Sequence, residues 1–154
     1  MKLKYFLILV GFFLINANFL NAQMTKSQLQ EMYVSYLKEQ GYQPAIDSDG
    51  DVVFKAEGRN FYIHVQEKDL GYFRIVFPNF WEIESHAERI QAFEAASYAT
   101  RTTKTARVFL TSDDDTTIDA CIFIAKPEDF KLHFNRMLDV IMIARRDFVD
   151  RMRE

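Results

Sequence analysis

The sequence predicts an α+β fold: an antiparallel sheet of about six strands, a meander plus a hairpin, flanked by three helices in the order α-ββββ-α-ββ-α. Three observations carry that expectation. Within residues 42–77, four segments alternate apolar and polar residues with a period of two, separated by turn-forming clusters at 48–51, 57–60 and 67–71. A second alternating pair, 106–111 and 116–125, comes later in the chain. The stretches before, between and after these pairs repeat at helical spacing and carry helix-start signals. With 154 residues, 27% charged and 49% hydrophobic, the chain suits one globular domain of ordinary size.

The first residues read differently. Lys2 and Lys4 precede an apolar run over 5–15, and Leu20-Asn21-Ala22 offers a small residue for cleavage before Gln23. That is the layout of a secretory signal peptide. Asn16, Asn18 and Asn21 interrupt the run before it reaches the roughly 20 apolar residues that a spanning helix needs. No Cys follows for lipid attachment. The expected organisation is a signal peptide over 1–22 and a single domain over 23–154, periplasmic or secreted, with no stable membrane span after cleavage. Loss of Lys2 and Lys4 makes the remainder more negative than the formal −3 of the whole chain. An acidic domain has no electrostatic reason to seek nucleic acid or anionic lipid. The single cysteine, Cys121, has no partner for an internal disulfide, so stability must come from packing. Its place in an apolar strand suits a buried, inert thiol.

In order along the domain, Thr25 and Gln28 match a capping box, and Leu29, Met32, Tyr33, Tyr36 and Leu37 line one helix face up to Gly41. In the meander, Val52, Phe54, Ala56, Phe61, Ile63, Val65, Phe73, Ile75 and Phe77 share one face, which needs helical cover. The opposite face carries Val53, Lys55, Tyr62, His64, Gln66, Tyr72, Arg74 and Val76, an amphipathic mixture suited to a partner. Asp49-Gly50 matches a two-residue hairpin turn. Trp81, in the connection that closes the meander, is either a lid over the core or an exposed stacking platform.

Ser85 with Glu88 reads as a second capping box, opening a helix to about Thr103. Its close-packing face is Ala92, Ala95, Ala96 and Ala99, with Ile90 and Phe93 as expected anchors. In the second hairpin the last strand is apolar on both sides from Ala120 onward, which predicts a central strand or one covered on both faces. Pro127, Glu128 and Asp129 then start a long final helix. Its main stripe is Phe130, Phe134, Met137, Leu138, Ile141 and Phe148. Val140, Met142, Ile143 and Val149 widen it, so this helix needs cover from more than one side: a second subunit, the first helix or a client protein.

No catalytic or cofactor signature emerges. The sequence contains no G-x-S-x-G, phosphate loop, dinucleotide fingerprint, H-E-x-x-H or C-x-x-C. His64, His86 and His133 have no ligand spacing between them. Asp47, Asp49 and Asp51 begin like a calcium loop, but Gly50 falls two positions early and Gly58 stands where the bidentate Glu belongs. A cation shared with Asp113-Asp114-Asp115 would require the two hairpin tips to meet at one end of the sheet. Glu82, Glu84, Glu88 and Glu94 read as a solvated helical face. Cofactor, metal and catalytic residues are accordingly expected to be none.

Two stretches, LQEMYVSYLKEQGYQPAIDSDGDVVFKAEGRNFYIHV and FEAASYATRTTKTARVFL, add a resemblance. In the second, an alanine-rich helix runs through Lys104 into an alternating strand. Together with the element order they make the chain resemble the YbjN-like family of bacterial proteins, whose fold looks like that of type III secretion chaperones. The resemblance covers nearly all of 23–154 and implies a non-enzymatic protein that dimerises and binds other polypeptides. Secretion chaperones act in the cytoplasm, whereas this chain reads as exported. The expected function is therefore an exported protein-binding module, chaperone-like or regulatory and homodimeric. Its partner surface is expected to draw on Tyr62, His64, Tyr72, Arg74, Trp81, Val140 and Ile143. The alternative is an envelope small-ligand or glycan-binding protein, possibly hydrolytic, built on Trp81, Tyr62 and nearby carboxylates.

Overall fold

The computed structural model describes residues 24–154. The signal peptide expected over 1–22 lies outside the described residues. The elements are α1 (Lys26–Glu39), β1 (Ala45–Ile46), β2 (Val52–Ala56), β3 (Arg59–Ile63), β4 (Tyr72–Pro78), α2 (His86–Thr102), β5 (Ala106–Leu110), β6 (Thr116–Phe123), a 3-10 turn at Pro127–Asp129, and α3 (Phe130–Met152). All six strands form one antiparallel sheet in the order β1-β2-β3-β4-β6-β5. The α-ββββ-α-ββ-α layout read from the sequence is the one observed.

Local chemistry explains the element ends. At the start of α1 the Thr25 N–H donates to Gln28 Oε1 at 2.9 Å and the Gln28 N–H donates to Thr25 Oγ1 at 3.3 Å, so the capping box closes both ways. At its end Gly41 takes φ +86°, and the Tyr42 N–H reaches back to the Leu37 carbonyl at 2.9 Å, a Schellman closure. The box at Ser85 is only half made. Ser85 Oγ accepts from Glu88 N, but the Glu88 carboxylate turns to Trp81 Nε1 and Glu84 N, both at 2.8 Å. The indole offers a second donor there, so the carboxylate bridges Trp81 and Glu84 instead of returning to Ser85.

The 47–51 loop differs from the expected two-residue turn. Asp47 N donates to the Asp51 carbonyl at 3.0 Å, which leaves three residues, Ser48-Asp49-Gly50, with Gly50 at φ +86°. Asp47 Oδ1 accepts from both Asp49 N and Asp51 N at 2.9 Å, so this carboxylate serves its own loop. The true two-residue turn is Glu57-Gly58, where both residues have positive φ.

One face of the sheet is buried. Val52, Phe54, Phe61, Ile63, Phe73, Ile75, Val108, Ile118 and Ala120 lie beneath the three helices. α3 is the middle of that helical layer. Phe130 meets Tyr33 and Tyr36 of α1 edge-on at 4.9 Å, and α2 lies along α3 with Ala92, Ala95, Ala96 and Ala99 fully or almost fully buried. The width of α3's apolar stripe therefore has an intramolecular cause: the sheet, α1 and α2 each cover part of it. Val149 is buried and Val140 half-buried, while Ile143 remains 40% exposed. Ile90 and Phe93 do not anchor α2. They sit off its alanine stripe and are exposed, with the Arg89 guanidinium 4.8 Å from the Phe93 ring centroid.

Both sheet edges are blunted. The outward backbone of β5 is taken by α2: Val108 N donates to Thr100 Oγ1 at 2.8 Å, and Thr100 Oγ1 and Thr103 Oγ1 donate to the carbonyls of Val108 and Ala106 at 3.2 Å. At the other edge β1 is only two residues long and follows Pro44, which has no N–H to offer.

Candidate functional site

With all three described helices on one side, no described residue gives the other face of the sheet helical cover. The strand register places Ala45, Val53, Tyr62, Val76, Asp119 and Arg107 in one row across all six strands. Beside it, Arg74 lies opposite Cys121 and Tyr72 opposite Phe123. Tyr62, His64, Tyr72 and Arg74, expected to share a face, do so.

The centre of this face is an ionic cluster. Asp119 is fully buried, and Arg74 and Arg107 enclose its carboxylate. Arg74 donates through Nε to Oδ2 at 2.8 Å, with its Nη2 2.6 Å from the same oxygen. Arg107 donates through Nε to Oδ1 at 2.9 Å and through Nη2 to Oδ2 at 2.5 Å. The side-chain hydrogen bond to Asp119, and then its charge, raise the Arg107 pKa above the ordinary arginine value. Two guanidinium groups share one carboxylate, so a positive charge is left over. Each guanidinium has five N–H donors, and those not aimed at Asp119 remain for an incoming acceptor.

Around this cluster the surface is aromatic. Tyr72 and Phe123 pack with ring centroids 5.7 Å apart, and the Phe123 side chain is 83% exposed. The Tyr72 phenol pKa is raised, first by burial and then by its hydrogen bond with Cys121. Farther along, Val53, Lys55, Asn60 and Tyr62 line a shallow depression of about 740 Å³. At the rim His64 Nε2 stands 3.4 Å from Asp51 Oδ2, while Asp51 Oδ1 accepts from Val65 N. Histidine and aspartate here hold the β2–β3 end together.

The remaining expected site residues lie elsewhere. Trp81 is on the helix side. Its Nε1 donates to Glu88, its backbone is held by Thr116 Oγ1, and its ring meets Phe148 at 6.0 Å. It is the lid, not a platform beside Tyr62. Val140 and Ile143 line a separate groove, also on the helix side, with Ile122 and Met137. Of the histidines, His133 lines the same groove.

Among the described residues no group of three or more His, Cys, Asp or Glu side chains is placed to hold a metal ion. The two acidic hairpin tips lie at opposite ends of the sheet, because β6 runs antiparallel to β2. A Lys26 Nζ to Asp49 carbonyl bond of 2.9 Å closes over one tip, and Arg89 pairs with Asp114 at the other.

Asp119, Arg107 and Phe123 went unrecognised in the sequence as members of this surface. Their grouping depends on β6 lying between β4 and β5, a pairing between distant segments. One signal was present: Asp119 is the only charged residue of Thr116–Phe123. A lone acid in a central strand requires a cationic partner. β6 is a central strand between β4 and β5, the first of the two alternatives its double-sided apolar run allowed. The second, cover on both faces, is not observed among the described residues, and Phe123 projects from the far face.

No family model matches the sequence, and no curated protein matches it either. Among the solved structures that the chain is similar to is YbjN from E. coli, a candidate transcription regulator, at a TM-score of 0.57 and 12% identity. The match covers 75% of this chain and 88% of that chain. The protein thus has a YbjN-like α+β fold, as the resemblance in sequence implied. At this identity the likeness concerns the backbone arrangement alone.

Proposed function

We propose that this chain is an exported, non-enzymatic protein-binding module that docks a partner on the uncovered face of its sheet. The observation that carries the reading is the Arg74–Asp119–Arg107 cluster set among Tyr62, Tyr72 and the exposed Phe123. Interface centres are enriched in tyrosine, phenylalanine and arginine, and this face concentrates all three on one rigid support. The leftover apolar residues of α2 make a poorer surface, since Arg89 lies over Phe93 and Arg101 over Tyr98.

Charge favours a partner with carboxylates. Lys55, Arg74 and Arg107 face Asp119 alone on these strands, a cationic surface on a chain of formal charge −3. Self-association as a homodimer is part of the proposal, as is residence in the periplasm or outside the cell.

The deciding experiment places a photo-crosslinking residue at Tyr62 or Phe123, with Glu94 on α2 as the control. The adduct is identified and the complex rebuilt from purified proteins. Crosslinks confined to the sheet positions, with binding lost in Phe123→Ser and Arg107→Glu, support the reading. Equal adducts from Glu94, or a rebuilt complex indifferent to both substitutions, refute it. Light scattering on dilution tests the dimer, and N-terminal sequencing of the exported form tests cleavage before Gln23.

A further inference from the structure

On the helix side, α3, the end of β6 and the α2–β5 turn enclose a groove of about 600 Å³. Its apolar lining is Ile122, Met137, Val140 and Ile143. Met137 is buried, Ile122 and Val140 are half-buried, and Ile143 is 40% exposed. The core thus opens to solvent along one short stretch of α3.

Beside three threonines, the ionisable residues around this lining are mostly basic. Lys104, His133 and Arg136 line it, and Asp139 is the single acid. Lys104 and Arg136 make no ion pair or side-chain hydrogen bond with any described residue. The two arginines of the sheet face are held against Asp119, whereas these two side chains are uncommitted. The turn itself needs neither of them: Thr102 and Thr103 hydroxyls already donate to the Ala99 carbonyl at the end of α2.

We infer that this groove binds a single-chain anionic amphiphile of the fatty-acid class, its alkyl chain on Ile122, Met137, Val140 and Ile143 and its carboxylate between Lys104 and Arg136. Size and charge both argue for it. The volume falls within the roughly 300–1,000 Å³ of small-molecule sites. A stable protein interface takes about 20–30 residues a side, far more than four apolar side chains and their rim provide. The excess of basic over acidic side chains selects an anionic head over a cationic or neutral one.

The test is a calorimetric titration of monomeric laurate, below its micelle concentration, into the 23–154 chain, which contains every described element and the whole core. One laurate per chain is expected, with dodecyltrimethylammonium at least about tenfold weaker. The double variant Lys104→Glu/Arg136→Glu should weaken laurate by about tenfold or more and leave a neutral dodecyl glycoside unchanged. Ile143→Glu should weaken both ligands. These side chains are exposed, so melting curves should match the parent and certify folding. Phe123→Ser, on the far side of the sheet, should leave laurate binding intact, which separates this inference from the docking surface. No saturable binding below millimolar laurate overturns the inference, as does wild-type affinity in both groove variants. Binding only to vesicles containing anionic lipid would also overturn it, by assigning the groove to a membrane surface.

Discussion

The same strands build both faces of the sheet, yet the faces hold their residues by different physics. On the helix side, Phe54, Phe61, Phe73 and Ile75 lose all or nearly all contact with water, and contacts among rings fix their positions. On the open side the only fully buried group among the described residues is a carboxylate, and its cover consists of two arginines that remain partly in solvent. The first arrangement stabilises the fold through excluded area and packing. The second organises a surface. Two ions taken out of water offset much of their mutual attraction with lost hydration, so the cluster contributes orientation more than stability.

Substitutions of paired character sharpen that contrast. Phe73→Ala should cost about 3–5 kcal/mol in denaturant unfolding, the usual loss for a fully buried ring. Phe123→Ala, one strand away on the other face, should stay within about 0.5 kcal/mol. Comparable losses at the two positions would mean the open face is covered in the working protein. Next in size is Asp119→Asn, expected to cost about 1–3 kcal/mol by urea unfolding, because the arginines lose the carboxylate's charge and one of its two acceptor oxygens. Arg107→Ala should cost less, about 0.5–1 kcal/mol, since this side chain is 56% exposed and water replaces its partner. If Arg107 proved the more costly of the two, the carboxylate would not be the organiser.

A smaller effect is expected at the β5 edge. Thr100→Val should lose about 1 kcal/mol of stability, because the Val108 N–H and carbonyl lose their side-chain partner. The same variant should form strand-paired oligomers that the parent does not, detectable by light scattering at high concentration. The last prediction concerns pH. The Glu84 N–H and then the Trp81 indole hold the Glu88 pKa below its ordinary value. A carboxylate with a depressed folded pKa contributes stability fully above its unfolded pKa, and that contribution fades as pH falls through the folded one. Fluorescence of Trp81, the one tryptophan in the chain, should therefore change in the acid range below the usual glutamate titration, and Glu88→Gln should abolish that step.

Alternation made β2, β3 and β4 legible, since a period of two survives in Val52, Phe54, Phe61, Ile63, Phe73 and Ile75 whatever surrounds them. It also placed Tyr62, His64, Tyr72 and Arg74 on one face. β1 shrank to two residues because nothing pairs on its outer side and Pro44 precedes it. The girth of α3 was visible in the sequence, but not that its own sheet, α1 and α2 cover most of it. Ile90 and Phe93 misled for a related reason: apolar character identifies residues able to be buried, and only the helix phase of Ala92, Ala95, Ala96 and Ala99 decides which are. The ionic cluster was least legible. Its three members come from β4, β5 and β6, and no local pattern records which strand a hairpin will join.

The threonines at the edge of β5 limit how the molecule can assemble. A sheet with a free edge can recruit another strand, which presents a free edge in turn, and such growth has no natural end. Here one edge is spent on side-chain hydroxyls and the other is two residues long. Association through the sheet is thereby steered from its edges to its open face, and a face once occupied offers nothing further to join. Such complexes stop growing once the face is filled, which allows a protein with exposed aromatic surface to accumulate without becoming a seed for fibres.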